Sequence, residues 1–507
     1  MEWNFSSYLV WYTLFYLITL ILILKNFRNR AKPRPPGPRA WPIFGNIFDL
    51  GALPHQTFHK LRSKYDALIW LKLGSTNTLV IQSAKAAEHI FKNHDVQSSD
   101  RKVPDAFTAH NYHQGSLSLC RYGSNWRNRR RLVTLGLMTS MKIKDSTNLR
   151  RQCIDKMIRF IEEDAAAGEI VVSRYVFVMA FNLMGNLIFS KDLVDSRSEE
   201  GCEFFDAMDM VMKWGGMPNL VDFFPSLRVF DPQRIRKNME FDLGRTLKIV
   251  EKFVMERIED RKSMKERDVK DFLDTILEDE KNGKEGFDNV YTHDMLILIL
   301  EMFFGGTETM SGTTEWLMVE LFRNPESMRK VKEEVTQVVG PKRKVEESDL
   351  DELPYLQAII KETLRLHPVI PLLIARNTLE ETKFMEYVIP KDTQVFVNTW
   401  AIGRDPDVWE DPLSFKPERF LGSNIDYIGQ NFELLPFGSG RRICVGFPLA
   451  HRILHFTIAS LLHGFDWEID TNSYAKAIDM NEKFGFTVKK LIPFRAIPKK
   501  IISNSSS

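Results

Sequence analysis

Between Phe437 and Gly446 the chain reads Phe-Gly-Ser-Gly-Arg-Arg-Ile-Cys-Val-Gly, a glycine-rich, arginine-bearing loop that delivers one cysteine to the start of an apolar helix beginning near Phe447. The glycines permit tight turns and let backbone approach a flat ligand or a sulfur atom closely. The N–H groups at the mouth of the following helix favour a thiolate. A lone cysteine is more often an ordinary buried residue, but this loop argues for a working thiolate. Four cysteines (Cys120, Cys153, Cys202, Cys444) in 507 residues are too few and too scattered for a disulfide framework, and no two have the Cys-x-x-Cys spacing of a structural zinc site.

Helical patterning dominates the rest. Thr292 precedes, and Asn324-Pro325 ends, an apolar pattern of about 30 residues, roughly 45 Å at helical rise. Inside it lies Gly305-Gly306-Thr307-Glu308-Thr309. Two adjacent glycines cost roughly 1 kcal/mol each in a helix interior. Either a local opening beside a ligand or a closely crossing helix favours them. Residues 355–367 form a second helix, stopped by Pro368, and carry Glu362 and Arg365 on one face. Arg130 follows Trp126 by one helical turn, so both can face one carboxylate; a bare run of arginines would otherwise face solvent. Short strands are expected at 68–73, 78–81, 388–390 and 394–397, and the charge-dense stretch 262–284 reads as a solvated surface loop or helix face.

Residues 8–24 form an uncharged apolar run of about 17 residues, reaching roughly 26 Å, just enough for a thin bilayer. Lys25, Arg28, Arg30, Lys32 and Arg34 follow it, which places everything downstream in the cytosol. A cleaved signal peptide would carry its positive charge before the run. The proline-rich segment after it reads as a stiff spacer between anchor and body. The expected organisation is therefore an anchor with its basic flank over 1–34, a hinge over 35–46 and one large domain over 47–507. Net charge is +2, which gives no bulk attraction to nucleic acid.

These motifs, in this order and over nearly the whole chain, resemble the cytochrome P450 family. Its pattern F-x-x-G-x-R-x-C-x-G is met at Phe437, Gly440, Arg442, Cys444 and Gly446. The resemblance implies a mostly α fold with small β-sheets and an N-terminal transmembrane anchor helix. It implies haem b with Cys444 as the axial thiolate on iron, and propionate contacts from Arg442, Trp126, Arg130 and Arg376. Thr309 then supports oxygen activation with Glu308 as acid partner, and Glu362, Arg365 and Arg419 form a structural triad. Phe303, Ile370, Leu373, Ile374 and Phe486 are implied to line an apolar substrate pocket. Val445 and Ala375 stand where family members usually carry proline.

By the same resemblance the protein is a single-pass monooxygenase of the endoplasmic reticulum membrane that uses dioxygen and NADPH-derived electrons from a flavoprotein reductase. Arg121, Arg127, Arg129, Arg131 and Arg441 are candidate docking residues for that acidic partner. The hinge and the stretch Trp41-Pro42-Ile43-Phe44-Gly45-Asn46 look like plant microsomal members, nearest the group with monoterpenol and iridoid oxidases. An apolar pocket suits a terpenoid, and equally a fatty acid or a phenolic. A haem-thiolate isomerase or dehydratase acting on hydroperoxides is the rival class; Thr309 and the intact cysteine loop speak against it.

Overall fold

Thr292 opens the helix that runs through the middle of the molecule. Its side chain accepts a hydrogen bond from the Met295 N–H at 3.3 Å and caps a helix that extends from His293 to Arg323. Almost every residue from Met295 to Phe304 is buried, as expected of a helix that is apolar all round. The structure, a computed structural model, describes residues 11–13, 15–17, 19, 33–194, 199–263, 271–283, 292–470 and 478–501.

In chain order, the elements that position the site begin with strands β1 (Leu68–Leu73) and β2 (Thr76–Ile81) and helices α1 (Ser124–Val133), α2 (Val172–Phe189) and α3 (Glu199–Gly216). The central helix α4 (His293–Arg323) and helix α5 (Pro354–Leu366) follow, then strands β3 (Arg376–Asn377) and β4 (Gln394–Val397). Helix α6 (Phe447–Gly464) and the hairpin strands β5 (Glu482–Lys483) and β6 (Lys489–Lys490) complete the set. The fold is mostly α with small sheets. The largest sheet has the order β1-β2-β4-β3. β1 and β2 are antiparallel with Trp70 opposite Leu79, β2 runs parallel to β4, and β3 pairs antiparallel with β4 so that Arg376 faces Val395.

Among the described residues α2 is the one helix long and apolar enough to cross a membrane, yet most of it is buried inside the protein. Its Phe181 ring lies 4.9 Å from Phe303, and its Met184 sulfur lies against Gly306. It is a core helix. The anchor expected over 8–24 lies largely outside the described residues; Trp11, Tyr12, Phe15 and Tyr16 within it are helical and exposed. Of the basic flank, Lys25, Arg28, Arg30 and Lys32 lie outside them, whereas Arg34 lies over the Trp70 ring at 5.2 Å.

The proline-rich segment is not a free-standing spacer. Trp70 N–H donates to the Pro36 carbonyl and Val388 N–H to that of Pro33, both at 2.8 Å, so its first residues are docked on the body. In the charged stretch 262–284 the helix-face alternative holds over 272–283. Phe272–Gly283 is a helix that buries Phe272, Leu273, Ile276 and Leu277, because its apolar residues recur at helical spacing beneath the charges.

Candidate functional site

The cysteine loop is closed by the Cys444 N–H donating to the Phe437 carbonyl at 3.0 Å. Gly438 and Gly440 sit at φ of +71° and +69°, where glycine is favoured. A Cβ on Gly440 would stand 2.5 Å from the Asp95 carboxylate. Pro448 in the first turn starts α6 directly behind the loop. Burial pushes the Cys444 thiol up, while the N–H groups of Gly446 and Phe447 and the charge of Arg130 pull it back. The sulfur is accessible, but what it faces is an interior cavity ringed by protein, not bulk water. A thiolate there needs a cation on its open side.

Four guanidiniums line the same cavity: Arg101, Arg130, Arg376 and Arg442. Arg130 donates to the Ile443 carbonyl at 2.8 Å. Arg442 donates to the Ser99 and Cys120 carbonyls at 2.9 and 2.7 Å and lies 4.3 Å over the Trp126 ring. Arg376 pairs with Asp95 at 2.7 Å and donates to the Ser439 carbonyl at 2.9 Å. Arg101 donates to the Ser118 and Ala375 carbonyls at 2.9 and 3.0 Å. Among the described residues, only Arg376 of the four has a carboxylate within ion-pair distance; the others meet carbonyls. Burial drives the Arg442 pKa down to about 10 and lowers that of Arg101, which the charges of Arg442 and Arg376 depress further. Buried, uncompensated like charges are costly, and a flat ligand carrying two carboxylates removes the cost. Haem b has that shape and those carboxylates, so the residues present fit it.

The expected cofactor residues Trp126, Arg130, Arg376, Phe437, Arg442, Cys444 and Gly446 therefore come together. Arg101 was not foreseen. Its partners Ser118 and Ala375 are far along the chain, and its own neighbours form no pattern.

Opposite Cys444, α4 presents Met302, Phe304, Gly305, Gly306, Thr309 and Thr313 to the cavity. The helix is continuous through the glycine pair, so the expected local opening is absent. Gly306 instead admits α2, where a Cβ would lie 2.9 Å from the Met184 sulfur. Gly305 leaves space, with nothing within 4 Å of where a Cβ would stand. Thr309 donates its hydroxyl to the Gly305 carbonyl at 2.8 Å and lines the cavity.

Glu308 points elsewhere. It accepts from Thr487 at 2.8 Å, pairs with Lys489 on β6 and is not among the cavity-lining residues. One residue along a helix turns a side chain by about 100°, and that carries Glu308 to the hairpin. Phe303 is corrected for the same reason: it is fully buried among Phe181, Phe189 and Phe204, while Met302 and Phe304 face the cavity. Ile370, Leu373, Ile374 and Phe486 do line it.

Glu362 and Arg365 of α5 are fully buried and joined by two bonds of 2.7 Å, and Arg419 donates to the same carboxylate at 3.1 Å. Arg365 also donates to the Pro412 and Ser414 carbonyls at 2.7 and 3.0 Å, tying α5 to that loop. Leu364, between them, lines the cavity. Of the candidate docking arginines, Arg129 is turned inward onto Asp294, while Arg121, Arg127, Arg131 and Arg441 are exposed.

A family model described as Cytochrome P450 matches residues 35–492. The chain is 52% identical over 492 residues to an iridoid oxidase of Catharanthus roseus, with 96% of each chain covered. It is 40% identical over 490 residues to a geraniol 8-hydroxylase of the same plant, covering 96% of this chain and 98% of the other. Among solved structures, a zebra fish cytochrome P450 with progesterone superposes with a TM-score of 0.73 at 25% identity, covering 88% of this chain and 99% of that one.

Proposed function

The chain belongs to the cytochrome P450 family of haem-thiolate oxidoreductases, and from that premise we propose that it inserts one oxygen atom of dioxygen into a terpenoid of monoterpenoid or iridoid size. One observation carries the reading: a single cavity has an inward cysteine and uncompensated guanidiniums on one side, and Thr309 within an apolar wall on the other. Haem, when bound, would supply the oxygen-activating chemistry, and Cys444 would hold its iron as a thiolate, the ligand type that favours this chemistry. Arg101, Arg130, Arg376 and Arg442, which line the cavity, would hold its two propionates through charge-assisted hydrogen bonds. Thr309, which lines the cavity, would hold a water there and relay protons through its hydroxyl. Glu308, bonded to Thr487 and Lys489 away from the cavity, takes no part in that relay. The wall formed by Phe304, Met302, Ile370, Leu373 and Phe486 excludes bulk water and presents an apolar surface to the substrate.

The electrons come from NADPH through a flavoprotein reductase docked on Arg121, Arg127, Arg131 and Arg441. The protein is held in the endoplasmic reticulum membrane by residues 8–24 with its body in the cytosol. Two exposed apolar segments support a membrane-facing end: the Phe44 ring meets Phe224 edge-on at 6.0 Å, and Trp41, Ile43, Val229 and Phe230 stand exposed around them. Protease added to sealed microsomes then digests the body; a protected body reverses the orientation.

The substrate class is tested by Soret-shift titration across terpenoid, fatty-acid and phenolic panels. Monoterpenoids are expected to bind tightest. Tight binding of fatty acids or phenolics with none by monoterpenoids overturns the terpenoid assignment.

A further inference from the structure

Among the hydroxyl groups that line the cavity, that of Tyr112 stands apart. The Thr309 hydroxyl donates to the Gly305 carbonyl and that of Thr313 to Thr309, each at 2.8 Å. Thr487 donates to Glu308 at 2.8 Å, Ser439 to the Gly429 carbonyl at 2.6 Å, and Ser118 to Glu301. Tyr112 is 2% exposed and lines the same cavity, yet among the described residues its hydroxyl has no hydrogen-bond partner. The residue is buried, but its hydroxyl opens to the cavity and meets no protein acceptor there, so it can donate to whatever fills that space.

The ring is also held in place. It packs at a tilt against Phe107 and Phe304, with ring centroids 5.3 and 6.5 Å away. Its one-turn helix, Tyr112–Gly115, follows His110 and Asn111 at φ of +48° and +54°, two left-handed residues that reverse the chain. Gly115 lies so close to α4 that a Cβ would stand 2.8 Å from Ile297. The next three residues are clamped by Glu301 of α4, which accepts from Ser116 Oγ at 2.6 Å, from the Ser118 N–H at 3.0 Å and from the Leu117 N–H. Burial and the nearby Glu301 charge raise the Tyr112 pKa well above its ordinary value, so the phenol stays neutral and able to donate. A preorganised donor of this kind binds a ligand oxygen without paying to be ordered.

We propose that the Tyr112 hydroxyl binds an oxygen already present on the substrate, an alcohol or aldehyde, and so sets which carbon faces Thr309. Its neighbour Phe304 precedes Thr309 by five residues, about 7.5 Å along the helix. The oxygenated end is thereby held at one end of the cavity, and oxidation falls on carbons remote from it. The inference rests on the proposed monooxygenase reading but not on the substrate being a terpenoid.

The test uses matched pairs on the full-length holoprotein: geraniol and its deoxygenated hydrocarbon, decanol and decane, cresol and toluene. Soret-shift dissociation constants are measured for wild type and Tyr112→Phe, whose reduced carbon monoxide spectra should be the same. In the pair that binds best, the oxygenated member should bind about five- to tenfold tighter to wild type. Tyr112→Phe should erase that gap by weakening the oxygenated ligand alone, and its products should spread over more carbon positions. If the best-binding pair is decanol or cresol and the gap still depends on Tyr112, the terpenoid reading fails and this assignment stands. If wild type has no such gap in any pair, or the gap survives in Tyr112→Phe, the assignment is wrong.

Discussion

The two walls of the cavity are built from different materials. On the cysteine side, the loop is closed by its own backbone, its glycines take left-handed conformations, and three of its four guanidiniums are tied only to carbonyls. On the α4 side, position depends on side chains from distant segments: Phe304 on Tyr112, Phe107 on Phe486, Glu308 on the hairpin, and Glu301 on the loop after Tyr112. A wall held by backbone keeps one ligand in one place. A wall held by side chains changes what it accepts when a few of them change, and this is how one fold serves a constant cofactor and a variable substrate.

The largest effects should come from breaking the cysteine wall. Cys444→Ser is expected to abolish turnover and the reduced carbon monoxide band of the thiolate, while Cys120→Ser and Cys153→Ser keep both. Loss of the band in either of those two would move the ligand to another wall. Glu362→Gln should follow. It leaves the fully buried Arg365 short of its counter-charge, at a cost of about 3–5 kcal/mol. Thermal melting and the yield of haem-loaded protein read this out, and an unchanged melt contradicts a structural role for the triad.

On the other wall the effects should be smaller and leave haem in place. Thr309→Val keeps the volume and removes the hydroxyl, so the spectra survive. Product per NADPH is expected to fall about tenfold, or ~1.4 kcal/mol in partition, with the difference recovered as hydrogen peroxide. Coupling at the wild-type level would make Thr309 a packing residue only.

The smallest change concerns the seam above this wall, where Asp222 accepts from the Asp105 N–H at 2.6 Å. Burial raises the Asp222 pKa from 3.8 to about 6. Its contribution to stability is thus full below pH 4 and lost as pH rises through about 6. Asp222→Asn should therefore stabilise the protein at pH 7.5 and leave its stability unchanged at pH 4. Equal melting of both proteins at pH 7.5 would mean that the carboxylate is not strained there.

The same contrast explains what was legible in the sequence. The strand over 68–73, the cap at Thr292, the stop at Asn324 and the start of α6 at Phe447 all lie where local signals put them. Local chemistry also marked Cys444 in its loop and the Trp126–Arg130 pair, and the family resemblance added Arg442 and Arg376. Arg101 and Tyr112 were illegible as individual residues because their meaning depends on α4 and on the carbonyls of 118 and 375, which only the tertiary fold brings near. Phe303 and Glu308 were misjudged by a single helical step. Being on the right helix does not fix the face, and neighbours on α2 and on the hairpin decided it.

The most direct test of the whole account is isotopic. The full-length protein, supplied with NADPH and a flavoprotein reductase under heavy-oxygen dioxygen, acts on the terpenoid that gives the largest Soret shift. The product mass is then measured. The account predicts one labelled oxygen per product and no product without NADPH. Oxygen drawn from water, or conversion of a hydroperoxide with neither NADPH nor dioxygen, would contradict it and make this an isomerase or dehydratase.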